Sequence, residues 1–304
     1  MKYINKQKYL IITSDDFGMC PQVNEAILKC IDVGLVSSIN VIVNLGDFSE
    51  ASSIRTRFPH VSIGIHWNVT SGRPKLQEEL IPSLINPETH EFWSVTQFQS
   101  RMKKRLINLT ELRNELIEQY NCFKTVCGHA DYWNTHQNSA LSFGLFNIFN
   151  DVALDLGITY SRSFRRVYVK TDYLKLSFKS KIFELFKRII LECWFKFVIP
   201  RNGTKLPEGR IIYFNENTKT ESLANIGENI LWQEKRIVEL VIHPATTTDH
   251  ISFGTISNAR VQEYKLFSNK DTLNYLKSIG VTIVNFDILK GNYDINRIAA
   301  HSKI

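Results

Sequence analysis

Residues 12–18 read ITSDDFG: two adjacent aspartates, Asp15 and Asp16, close an apolar run just before a Phe-Gly turn. Inside a strand, neighbouring side chains point to opposite faces. In a loop at the strand's C-terminal mouth, both can turn into one cleft. There their repulsion raises one pKa unless a cation neutralises the pair. Three histidines stand in comparable places: His66 in GIHWN, His136 in NTHQN and His243 in VIHPA. Singly, each residue has an ordinary explanation, a helix cap for an aspartate and a satisfied core ring for a histidine. Together they supply a carboxylate and two imidazoles, with one of each to spare. That is the ligand arithmetic of a mononuclear catalytic metal site with three protein ligands and an open position.

Such a set points to hydrolysis. The pKa of a water falls from about 15.7 toward about 7 on a divalent ion. A carboxylate beside the ion takes the proton as the water attacks a carbonyl. The ion steadies the developing oxyanion, and a protonated histidine set apart delivers a proton to the leaving amine. Hydrolysis of a phosphate ester would use the same kit, but the further ligands of a two-metal centre are missing from the sequence. A relative that binds carbohydrate without turning it over is the alternative from outside enzymology.

The surrounding pattern shows how these residues would be positioned. KYLIIT (8–13) reads as a buried strand. CPQVNEAILKCIDVGL follows as a helix, with Pro21 in its first turn, apolar residues at helical spacing and Gly34 as its stop. LVSSINVIVN (35–44) is a second strand, DFSEASSIRTRF a short helix with an aspartate cap, and HVSIGIHWNVT (60–70) a third strand. Residues 94–125 read as a long helical stretch with one break. ALSFGLFNIFNDVALDLG is a helix ending at Gly157, and ITYSRSF a short strand. RIVELVI leads into the His243 loop, and VTIVNF (281–286) is the final strand. This alternation predicts an α/β fold with predominantly parallel strands, barrel-like and in a single domain over 1–304. Parallel α/β folds gather their sites at the C-terminal ends of strands, where the aspartates and histidines fall.

Bulk properties narrow the function class. The chain has 304 residues, a net charge of +7 and five cysteines without metal-finger spacing. The cysteines read as free thiols. No apolar stretch reaches the roughly eighteen residues of a membrane span, and the N-terminus lacks a signal-peptide pattern, so a cytoplasmic location is expected. The basic runs carry no nucleic-acid motif. The segment 167–210 departs from the alternation. Phe183, Phe186, Ile190 and Trp194 recur there at helical spacing with lysines between, which suits a helix covering the core. A membrane surface, a substrate-side role or a homodimer contact are its other uses.

LIITSDDFGMCPQVNEAI, GLVSSINVIVN, VSIGIHWNVTSGRP, NTHQN and ELVIHPA together resemble the YdjC/ChbG carbohydrate deacetylases over roughly residues 8–290. The resemblance implies a distorted (β/α) barrel that removes acetyl groups from N-acetylated amino sugars or oligosaccharides. By matching position, it implies Asp16, His66 and His136 as ligands of one divalent metal ion, Asp15 as general base and His243 as general acid. It also implies Arg162 near the substrate. The family is associated with Mg²⁺, whereas two histidines and a carboxylate equally suit Zn²⁺ or other transition ions. Asn68 is a further substrate-binding candidate. Phe17, Trp67, Tyr132 and Trp133 offer rings on which a sugar could stack, Tyr132 and Trp133 foremost.

One departure stands out. Family members often read D-x-H-x-H-x-H where this chain has Asn134, His136, Asn138 and Ala140. Asn134 is expected to orient His136 as a neutral amide in place of an anion. His129 and Asp131, just upstream, are candidates to compensate for the missing histidines.

Overall fold

The computed structural model describes residues 7–141, 145–165, 167, 203–212, 223–232, 235–248 and 257–291, with isolated positions between 177 and 190. Strand β1 (Lys8–Phe17) is buried from Tyr9 onward, as befits a central parallel strand covered on both faces. Helix α1 (Pro21–Asp32) buries Val23, Ala26, Ile27, Cys30 and Ile31, a stripe of helical period. Strand β2 (Ser38–Val41), helix α2 (Ala51–Arg57) and strand β3 (Ser62–Trp67) continue the alternation. A small antiparallel pair, β4 (Ile85–Asn86) with β5 (Glu91–Phe92), precedes α3 (Val95–Lys103) and α4 (Leu109–Cys127). Then come β6 (Trp133–Thr135), α5 (Phe146–Asp155), β7 (Gly209–Ile212) and α6 (Leu223–Trp232). Strand β8 (Ile237–Ile242), α7 (Ser257–Phe267), α8 (Lys270–Ser278) and β9 (Val281–Ile283) complete the described elements.

The main sheet runs β6-β3-β2-β1-β8-β7, with β9 joining the first residues of β1. Every pairing in it is parallel. The stretch 159–167 connects the outermost strands. On one side Trp133 N donates to Tyr160 O and Arg162 N to Trp133 O. On the other, Val167 N donates to Arg210 O and Arg210 N to Arg165 O. The sheet is thereby drawn round into a distorted (β/α) barrel. ITYSRSF accordingly makes single bridges at Tyr160 and Ser161 in place of the regular strand its sequence suggests.

Three local expectations are corrected. β1 extends through both aspartates instead of releasing them into a loop. A register irregularity between Ser14 and Phe17 and a left-handed Asp16 (φ 71°) give the turning that a loop was expected to provide. Asp47 is not the cap of α2: its Oδ1 accepts from Ser49 N in a turn, and the helix begins at Ala51. In the segment 167–210, Phe183, Phe186 and Ile190 are helical but 68%, 63% and 67% exposed, so they do not cover a core. Trp194 lies outside the described residues. No helix among the described residues is long and apolar enough to cross a membrane.

Candidate metal centre

Asp16, His66 and His136 arrive from the ends of β1, β3 and β6, strands separated in sequence but close in the sheet. Asp16 Oδ1 lies 3.3 Å from His66 Nε2 and 3.1 Å from His136 Nδ1. The two nitrogens are 3.3 Å apart. Three donors each about 2.0–2.1 Å from one ion would stand about 2.9–3.4 Å from one another. The triangle therefore has the dimensions of one face of a small divalent ion's coordination shell. It is the one such group of His, Cys, Asp or Glu side chains found among the described residues.

The hydrogen bonds around His66 prepare it to be a ligand. Asn134 Nδ2 donates to Asp15 Oδ1 at 3.2 Å, which turns the amide oxygen toward His66 Nδ1 at 2.5 Å. An ionised carboxylate only accepts, so the amide's orientation is fixed and Nδ1 must be the donor. In the neutral ring this leaves the Nε2 lone pair facing Asp16 and His136. Asn134 thus orients His66, not His136 as the sequence suggested.

Asp15 is held from every side. Arg162 donates to both of its oxygens at 2.6 Å, and Asn40 Nδ2 donates to Oδ1 at 2.7 Å. His243 Nε2 stands 3.5 Å from Oδ2. Burial opposes ionisation of Asp15, yet Arg162, His66 and His243 outweigh it and hold the carboxyl well below its usual range. Burial opposes ionisation of Asp16 too, and Arg260 with the two histidines holds it equally low. For His66 burial favours the neutral ring, but Asp15 and Asp16 prevail and raise its pKa. That pull for positive charge beside two carboxylates is also what a cation would answer.

The structure thus gathers Asp15, Asp16, His66, His136 and His243 into one place. Four other expectations change. Arg162 is buried and committed to Asp15 and, through Nε at 2.9 Å, to Glu239, so it supports a site carboxylate and is not free to grip substrate. Tyr132 is fully buried, stacked on Phe286 at 3.7 Å with its hydroxyl on Ile39 O. Trp133 sits in an aromatic cluster with Trp67, Phe146, Phe149 and Phe164. Neither ring, nor buried Trp67 or Phe17, has a face for a sugar. Asn68 is also buried and pins its loop by donating to Asn44 Oδ1 and Ser71 O.

Sequence reasoning missed Asn40, Glu239, Arg260 and Glu263. Glu239 did leave a signal: a lone carboxylate inside the apolar strand IVELVI must find a buried partner. Arg260 and Glu263 left none, since charges on a helix ordinarily face water.

Residues 9–278 match the family model described as YdjC-like protein. The chain belongs to the YdjC-like family. A carbohydrate deacetylase of Danio rerio is 31% identical over 154 residues, which is 50% of this chain and 49% of that protein. This chain's match thus spans about half the length of that relative. Carbohydrate deacetylases of Thermoanaerobacter pseudethanolicus and Enterococcus faecalis are 21% and 24% identical. Each alignment covers 93% of this chain, and 100% and 98% of those proteins respectively. A crystal structure from Enterococcus faecalis, described as a cellobiose-phosphate cleavage protein, shares the fold. Its TM-score is 0.71 at 22% identity, over 93% of this chain and 99% of that one.

The departures of this YdjC-like chain have local explanations. Asn138 Oδ1 accepts from Arg210 Nη1 at 2.8 Å, and Ala140 is buried. His129 and Asp131 do not compensate: the His129 carbonyl and the Asp131 carboxylate both bind Arg55, and Asp131 also accepts from Ile63 N, near the start of β3 and away from His66.

Proposed function

We propose that this chain is a metal-dependent deacetylase that removes the acetyl group from N-acetylated amino sugars or their oligosaccharides. The observation that carries the reading is the Asp16–His66–His136 triangle with a second carboxylate, Asp15, and a third histidine, His243, beside it. The three triangle residues would hold one divalent ion, Mg²⁺ or Zn²⁺. When bound, such an ion supplies Lewis-acid chemistry, acidifying a water and stabilising negative charge on a carbonyl oxygen.

The chain's own groups do the rest. Arg162 and Asn40 keep Asp15 ionised and fixed, so that it accepts the proton released as a water's oxygen bonds to the acetyl carbon. Asp15 Oδ2 is also within reach of His243. His243 is partly open to solvent, with 22% of its side chain exposed. As imidazolium it gives its proton to the amide nitrogen as the C–N bond breaks, leaving acetate and a free amine.

The test is acetate release from a panel of N-acetylglucosamine oligosaccharides, with metal content measured on the same protein. Asp15→Asn is expected to bind metal normally and to lose about 10²–10⁴-fold in kcat. Chelation is expected to abolish acetate release. Restoring metal at a hundredfold excess over its Kd should then stabilise the fold by about 3 kcal/mol in a thermal melt. Metal uptake without acetate from any amino sugar would remove the substrate class. Full activity in Asp15→Asn would remove the assignment of the base.

A further inference from the structure

Helix α7 faces the site with two buried charged residues one turn apart. Arg260 Nη2 donates to Asp16 Oδ2 at 2.5 Å. Glu263 Oε2 accepts the backbone N–H of His243 at 2.5 Å. The helix is further tied to the His243 loop by Ala245 N, which donates to Arg260 O at 3.3 Å. The two oxygens of Asp16 therefore have different duties. Oδ1 completes the triangle with His66 and His136, while Oδ2 is turned away onto a guanidinium.

We propose that Arg260 is a positioning residue that restricts Asp16 to ligation through Oδ1 alone. The inference rests on the metal-centre reading above. A carboxylate can give a cation one oxygen or two. With Oδ2 held by a buried, charge-assisted hydrogen bond, rotating it toward the ion would strand a guanidinium in the protein interior, at a cost of several kcal/mol. One-oxygen ligation leaves one more position on the ion for water and the substrate carbonyl. Without Arg260, Asp16 is free to chelate through both oxygens and occupy that position itself.

The probe is Co²⁺ alone, added to the metal-free full chain. Its visible absorption weakens as coordination number rises. Arg260→Gln is expected to bind Co²⁺ with a weaker visible band per ion than the unaltered chain, and to lose kcat more than KM. Arg260→Lys, which keeps a cation on Oδ2, is expected to restore the original band. A superimposable band in Arg260→Gln overturns the proposal while leaving the metal centre standing. An unaltered chain that takes up no Co²⁺ overturns the metal centre and this inference with it. A measurement independent of variants is a crystal structure of the unaltered chain with Mn²⁺. Oδ1 alone on the ion, with Oδ2 still on Arg260, is the expected result, and both oxygens on the ion would overturn it.

Discussion

Glu263 sits fully enclosed beneath the His243 loop, and burial raises its pKa to about 7 although His243 and Arg260 pull it down. An unfolded glutamate titrates near about 4.3. Between those values the folded chain binds a proton that the unfolded chain has released. Stability therefore declines as pH rises from about 4.3 to about 7 on account of this one group. Glu263→Gln keeps an oxygen for the His243 N–H and removes the titration. The expected outcome is that the variant, compared with the unaltered chain, gains stability across that window, by an amount of order 3 kcal/mol at its upper end. Urea denaturation at several pH values measures the difference, and parallel curves for the two proteins would contradict it. Arg162 shows the reverse arrangement: burial disfavours its charge, but Asp15 and Glu239 more than compensate and raise its pKa.

At the scale of elements, the end of β1 is the unit that sets the aspartates. Asp16 adopts a left-handed backbone, and Gly18 follows with φ 96°. Asn24 Oδ1 accepts the Gly18 N–H at 2.7 Å, tying the turn to α1. A Cβ at Gly18 would lie 2.5 Å from Ile42 O and 2.7 Å from Phe48 Cβ. Gly18→Ala is expected to cost about 2–4 kcal/mol through backbone strain and overpacking together. Metal affinity should drop as Asp16 shifts, and calorimetric titration beside a thermal melt checks both. Much of this architecture was readable in advance because β1, β3 and β8 are apolar runs that stop abruptly at Asp or His, and α1 carries an unbroken helical stripe. The four-residue β7 was not, being too short for a periodic signal. Nor was the function of Arg260, because the partner that gives its charge meaning is 244 positions away. Tyr132 and Trp133 misled for a related reason: a polar neighbourhood in sequence says nothing about Phe286 and Phe149, which pack on their rings.

At the scale of the whole molecule, a single side chain crosses the barrel. Arg162 lies in the stretch that joins β6 to β7, and it reaches Asp15 on β1 and Glu239 on β8. Glu239 in turn accepts the Ser163 N–H at 3.1 Å. Arg162→Met is expected to leave two buried carboxylates without their cation and to cost about 3–5 kcal/mol. A calorimetric scan of the metal-free chain checks the stability. A melting temperature within a degree of the original would show that the barrel does not depend on this tie.

The same stretch shuts the ring and braces the carboxylate proposed to accept the proton. A nascent or partly unravelled chain in which the 159–167 segment has not docked would hold Asp15 in no fixed pose. Turnover would then vanish wholesale in the fraction of molecules with an open seam, and the survivors would run at full speed.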